Sequence, residues 1–63
     1  MKKINSSTWQ YKGYKIIKDL CDNYVAYVYV NDLILPIRIC GATQKHFKDN
    51  FNRIVKENGG LRN

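Results

Sequence analysis

The sequence predicts an α+β fold: a three-stranded antiparallel meander with one C-terminal helix packed on one face, in chain order β-β-β-α. Two strand-like runs, Tyr24–Val30 and Leu33–Cys40, are separated only by Asn31 and Asp32. An apolar stripe at helical spacing follows: Phe47, Phe51, Ile54 and Val55. The chain has 63 residues, 44% of them hydrophobic, enough for one thin core. At that size folding removes only about 60% of the unfolded chain's surface from water, so a deep substrate pocket is excluded.

Residues 1–8 are polar and basic and read as a flexible arm, residues 9–60 as the single domain, and 61–63 as a tail. The first strand spans Trp9 to Asp19. Ile16 and Ile17 are adjacent there, so one of them leaves the core unless a bulge near Gly13 shifts the phase. Leu20 to Asn23 form the next turn.

From Tyr24 to Val30 every residue but Ala26 is β-branched or aromatic. Asn31 and Asp32 tolerate the left-handed conformations of a two-residue hairpin turn. That turn pairs Val30 with Leu33, Val28 with Leu35, Ala26 with Ile37 and Tyr24 with Ile39, an apolar set that must face the core. The opposite face then pairs Tyr29 with Ile34, Tyr27 with Pro36 and Val25 with Arg38. Pro36 lacks an N–H, so the 33–40 strand is expected at a sheet edge, where a second copy could pair with it. Thr43 caps the helix, which runs to Asn58 with Gly59 ending it, and Asp49 can pair with Lys45 and Arg53 at four-residue spacing.

Eleven Lys and Arg against five Asp and Glu give a net charge of +6. A pI near 9.6 makes polyanions the first partner class to consider. Residues 1–18 hold five lysines and no acid, while Asp19, Asp22 and Asp32 occupy the next stretch without a base. Two cysteines are too few for a disulfide framework, and no apolar run follows the basic start. The expected setting is a reducing cytoplasm with no membrane association.

Nothing in the chain assembles into catalytic parts. His46 is the only histidine and falls in the first helical turn; no Ser or Cys has a base at a defined spacing, and no glycine-rich phosphate loop exists. Cys21, Cys40 and His46 lack the paired spacing of zinc ligands. The expectation is a non-enzymatic binding protein without metal or cofactor. Its candidate site is the solvent face of the sheet, with Tyr27, Tyr29 and Arg38 at the centre and Lys12 and Lys15 beside them. Rings stack on unpaired bases while cations hold phosphates, and Tyr and Arg also anchor protein interfaces. The partner is therefore a nucleic acid or, alternatively, a host or toxin protein that the chain inhibits or modulates.

Three segments carry a family likeness: Tyr11-Lys12-Gly13-Tyr14-Lys15-Ile16, Val30-Asn31-Asp32-Leu33-Ile34, and Gly41-Ala42-Thr43 at the start of the helix. Together they resemble HicB-type antitoxin domains and small phage and prophage proteins with the same opening. The resemblance implies a β-β-β-α fold related to part of the double-stranded RNA-binding fold, and a place in mobile elements or toxin-antitoxin systems. It transfers no site residue. In architecture alone the strand order is similar to the arm-type DNA-binding domains of integrases, which lay a three-stranded sheet in the major groove.

Overall fold

Two short hairpins open the chain. In the computed structural model, which describes residues 1–62, β1 (Lys2–Asn5) pairs antiparallel with β2 (Thr8–Tyr11), and β2 with β3 (Tyr14–Lys18). Asn5 closes the first turn, its Oδ1 accepting from the Ser7 amide at 3.0 Å. Lys12 and Gly13 make the second, with φ of 50° and 85°. Positive φ at both central residues is the geometry that matches the twist of flanking strands.

The chain continues through β4 (Tyr24–Val28) and β5 (Ile37–Gly41) to α1 (Gln44–Glu57). The architecture is α+β, with one five-stranded antiparallel sheet in the order β1-β2-β3-β4-β5 and a single helix on one face. The meander was expected with three strands. The arm supplies β1, and the expected first strand folds back on itself at Lys12-Gly13 into β2 and β3. That turn resolves the adjacent isoleucines: Ile16 is fully buried and Ile17 is exposed, with no bulge between them.

The Asn31-Asp32 hairpin does not form. β4 and β5 pair Val28 with Ile37, Ala26 with Ile39 and Tyr24 with Gly41, two residues away from the expected register, and eight residues connect them. The cause lies at the other end of the chain. The segment is instead tied to the C-terminal residues: the Asn31 amide donates to the Gly60 carbonyl at 3.0 Å, the Asp32 amide to the Asn58 carbonyl at 3.1 Å, and the Arg62 amide to the Tyr29 carbonyl at 3.1 Å. The Val30↔Leu61 bridge results, so residues 61 and 62 belong to the fold and are no free tail.

A shift of two residues preserves the facing of every strand residue. Tyr24, Ala26, Val28, Ile37 and Ile39 still point to the helix side, as expected. Leu33 and Leu35 do not: both leave the sheet and are exposed, and Pro36 lies outside the strand it was assigned to. The edge strand is therefore 37–41 and not 33–40.

Thr43 caps α1 as the sequence indicates, its Oγ1 accepting from the His46 amide at 3.1 Å. Phe47 and Phe51 are the helix's fully buried residues, and they close a core made with Trp9, Ile16, Ala26, Val28, Val30 and Ile39. Asn58 caps the C-terminus, and Gly59 and Gly60, at φ of 82° and 90°, turn the chain back toward Val30. Gly59 suits that turn through its positive φ, and a Cβ there would stand 2.8 Å from Asp32 Oδ1 and push the carboxylate aside. The expected Asp49 pair with Arg53 is replaced by a bond from the Arg53 guanidinium to Asn50 Oδ1 at 3.1 Å.

Candidate functional site

The helix covers one face of the sheet, and the other face is uncovered. Strand register assembles that face from two rows that cross the sheet. Lys2 stands opposite Gln10, Gln10 opposite Lys15, and Tyr27 opposite Arg38. Lys15 precedes Ile17 by two residues, and Ile17 stands opposite Val25, so alternation brings Lys15 onto the side of Tyr27. One row therefore reads Lys2, Gln10, Lys15, Tyr27, Arg38. Its cations sit on β1, β3 and β5, on every second strand, and the row is about 19 Å long at the usual inter-strand spacing. The neighbouring row is Thr8, Ile17, Val25 and Cys40, a low-polarity band in which Thr8 and Val25 are buried.

Tyr27 is 58% exposed in the first of these rows. Its partner Arg38 is anchored: the guanidinium donates to Asp19 Oδ2 at 3.1 Å. Asp19 is itself fixed by the turn it closes, its Oδ1 accepting from the amides of Asn23 at 3.0 Å and Cys21 at 2.9 Å. The Asn23 amide above all, with Cys21 and the Arg38 charge, holds the Asp19 carboxyl below its ordinary value of 3.8. The pair thus fixes the direction of Arg38 and leaves Lys2 and Lys15 as the row's freer cations.

Three of the five expected site residues, Lys15, Tyr27 and Arg38, meet on this face. Tyr29 continues the alternation beyond β4, exposed between buried Val28 and Val30, and the Arg62 guanidinium lies 5.7 Å from its ring centre. Lys12 goes elsewhere. Its Nζ donates to Asn52 Oδ1 on the helix at 2.8 Å and lies 5.5 Å from the Tyr11 ring, so the left-handed turn sends it to the helix side. Lys2 was missed in its place because residues 1–8 read as an arm, and Gln10 because residues 9–19 read as one strand. The signal was there in Asn5-Ser6-Ser7 and Lys12-Gly13, two turn-forming stretches spaced for consecutive hairpins.

Trp9 and Tyr24, on the helix side of the sheet, are already engaged with cations of neighbouring strands. Lys18 Nζ lies 5.7 Å from the Trp9 ring centre and 4.8 Å from that of Tyr24, and it pairs with Asp22 at 3.2 Å, which raises its pKa above the ordinary 10.5. Lys3 lies against Trp9 at 5.9 Å. Trp9 is buried among these groups, so the exposed rings are those of Tyr27 and Tyr29.

Both cysteines are free thiols; Cys21 is exposed in the Asp19–Asn23 turn and Cys40 is half-buried. Among the described residues no three of His, Cys, Asp and Glu gather into a group that would hold a metal, and no helix is long and apolar enough to cross a membrane. Compared with known protein families, curated proteins and solved structures, the chain matches none.

Proposed function

We propose that the protein is a non-enzymatic binding protein for single-stranded nucleic acid, which it holds across the uncovered face of the sheet. The observation that supports this is the row Lys2, Gln10, Lys15, Tyr27, Arg38, in which an exposed ring stands among three cations beside an apolar band. Phosphates would meet Lys2, Lys15 and Arg38 while a base stacks on Tyr27, and Gln10 supplies an amide donor and acceptor between them. A length of about 19 Å suits a short segment of roughly four nucleotides. The net charge of +6 favours the same partner at long range.

Fluorescence anisotropy with labelled single-stranded and duplex oligonucleotides tests this against the protein-directed alternative. Single strands should bind more tightly than duplex, and log K should fall with log salt at a slope of about −2, as three phosphate contacts on a single strand require. Absence of binding at low salt, or a salt-insensitive interaction, would remove this reading and favour a protein partner.

A further inference from the structure

The connection from β4 to β5 carries three consecutive exposed apolar side chains. Ile34 is 86% exposed, Leu35 75% and Leu33 42%, in sequence and next to Pro36. Together with Asp32 these residues line a shallow, widely open hollow of about 410 Å³. The loop is held open by the rest of the chain: Arg62 Nη1 donates to the Ile34 carbonyl at 3.3 Å, and the Asn31 and Asp32 amides are tied to the C-terminal segment. An apolar stretch braced in this way costs free energy unless something covers it.

We infer that a second copy of this chain covers it, through two-fold pairing of β5 and the loop that precedes it. Three features select that occupant. The loop presents protruding side chains and a hollow lined by the same residues, and an isologous interface needs this self-complementarity, since each copy's Ile34 or Leu35 can enter the hollow of the other. The segment 32–41 holds one acid and one base, Asp32 and Arg38, and is formally neutral within a chain of net charge +6, so two copies meet there without repulsion.

The two sheet edges also differ. β1 is guarded by Lys2, Lys3 and a register shift before Asn5, the devices that keep an edge unpaired, whereas β5 has no lysine and no bulge. On β5 the Cys40 carbonyl is taken by Asn50 Nδ2 at 2.8 Å, Arg62 holds the carbonyl of Ile34, and Pro36 has no N–H, which confines the open stretch to Ile37–Ile39. Antiparallel pairing there joins both sheets into one. It brings the two uncovered faces to the same side, with Arg38 of each copy near the centre and its charge already met by Asp19.

Sedimentation velocity in about 0.5 M salt, where exposed charges are screened, tests the dimer apart from any nucleic-acid contact. Between about 10 μM and 1 mM, the mass should move from 7.4 kDa toward twice that value. The double variant Ile34→Asp with Leu35→Asp should raise the dimerisation midpoint by at least about 100-fold, with an unchanged melting curve at monomeric concentration because both side chains are exposed. Lys45→Asp on the helix should leave the midpoint alone. Wild-type amide exchange at Ile37–Ile39 should slow as concentration rises. A wild-type protein that stays monomeric at 1 mM would overturn the inference, and so would a dimer that survives the double variant.

Discussion

Phe51 joins the helix to the β2–β3 hairpin. It is fully buried, and the rings of Tyr11 and Tyr14 stand edge-on to it at 5.1 and 6.1 Å. Phe51→Ala should cost about 3–5 kcal/mol in urea denaturation, the range for removing a buried phenyl. An unchanged midpoint would mean the helix is not docked on the sheet. Gly41 is a sharper case. A Cβ there would lie 2.4 Å from the Phe47 amide nitrogen and 2.7 Å from its Cα, and those are backbone atoms that cannot swing aside. Gly41→Ala should therefore destabilise by about 2–3 kcal/mol through displacement of the first helical turn. A neutral effect would show that α1 does not approach β5 this closely. Chain order alone marked Gly41 as punctuation before the helix; the reason for it is visible only when the helix is laid on the sheet.

At the level of elements, the Asp19–Asn23 turn connects folding to pH. The Asp19 carboxylate is stabilised in the folded protein, so its pKa is lower there than in the unfolded chain. Its contribution is complete above the ordinary value near 3.8 and is lost as pH falls through the folded value. Asp19→Asn should flatten the acid limb of the stability curve while changing little at pH 7 beyond a constant offset. An acid limb as steep as the wild type's would place the titration elsewhere.

The C-terminal return gives a second test. Leu61 is half-buried against the core, and Leu61→Ala should cost about 1–2 kcal/mol, less than a fully buried leucine. Exchange of the Asn31 and Asp32 amides should also speed up; if it does not, the eight-residue connection is held by something other than the tail. These two elements also mark how far the sequence could be read. Alternation in Tyr24–Val30 and the Phe47–Phe51 stripe gave the correct inward faces, because a shift of two residues leaves side-chain facing intact. The hairpin at Asn31-Asp32 failed because local turn chemistry cannot show that Gly59-Gly60 will bring residues 60–62 back to bond with Tyr29 and Asn31. Lys12-Gly13 was passed over as a turn because lysine, unlike asparagine, carries no expectation of positive φ.

For the whole molecule, the division of labour is between a helix side whose rings are packed against other rings and cations and a sheet face whose Lys2, Lys15 and Tyr27 are exposed. Charge alone does not distinguish the two surfaces, since α1 carries Lys45, Lys48, Arg53 and Lys56. What separates them is the exposed ring of Tyr27 beside the cationic row. The comparison that tests this most directly is single-strand affinity for two paired variants, each first checked by its melting curve: Lys15→Ala with Tyr27→Ala, and Lys45→Ala with Lys56→Ala. Loss of a stacked base and a phosphate contact should weaken the first by about 30- to 100-fold, while the second should change by only a few-fold through net charge. A helix variant that loses binding while the sheet-face variant retains it would contradict the assignment of the nucleic-acid surface to the uncovered face.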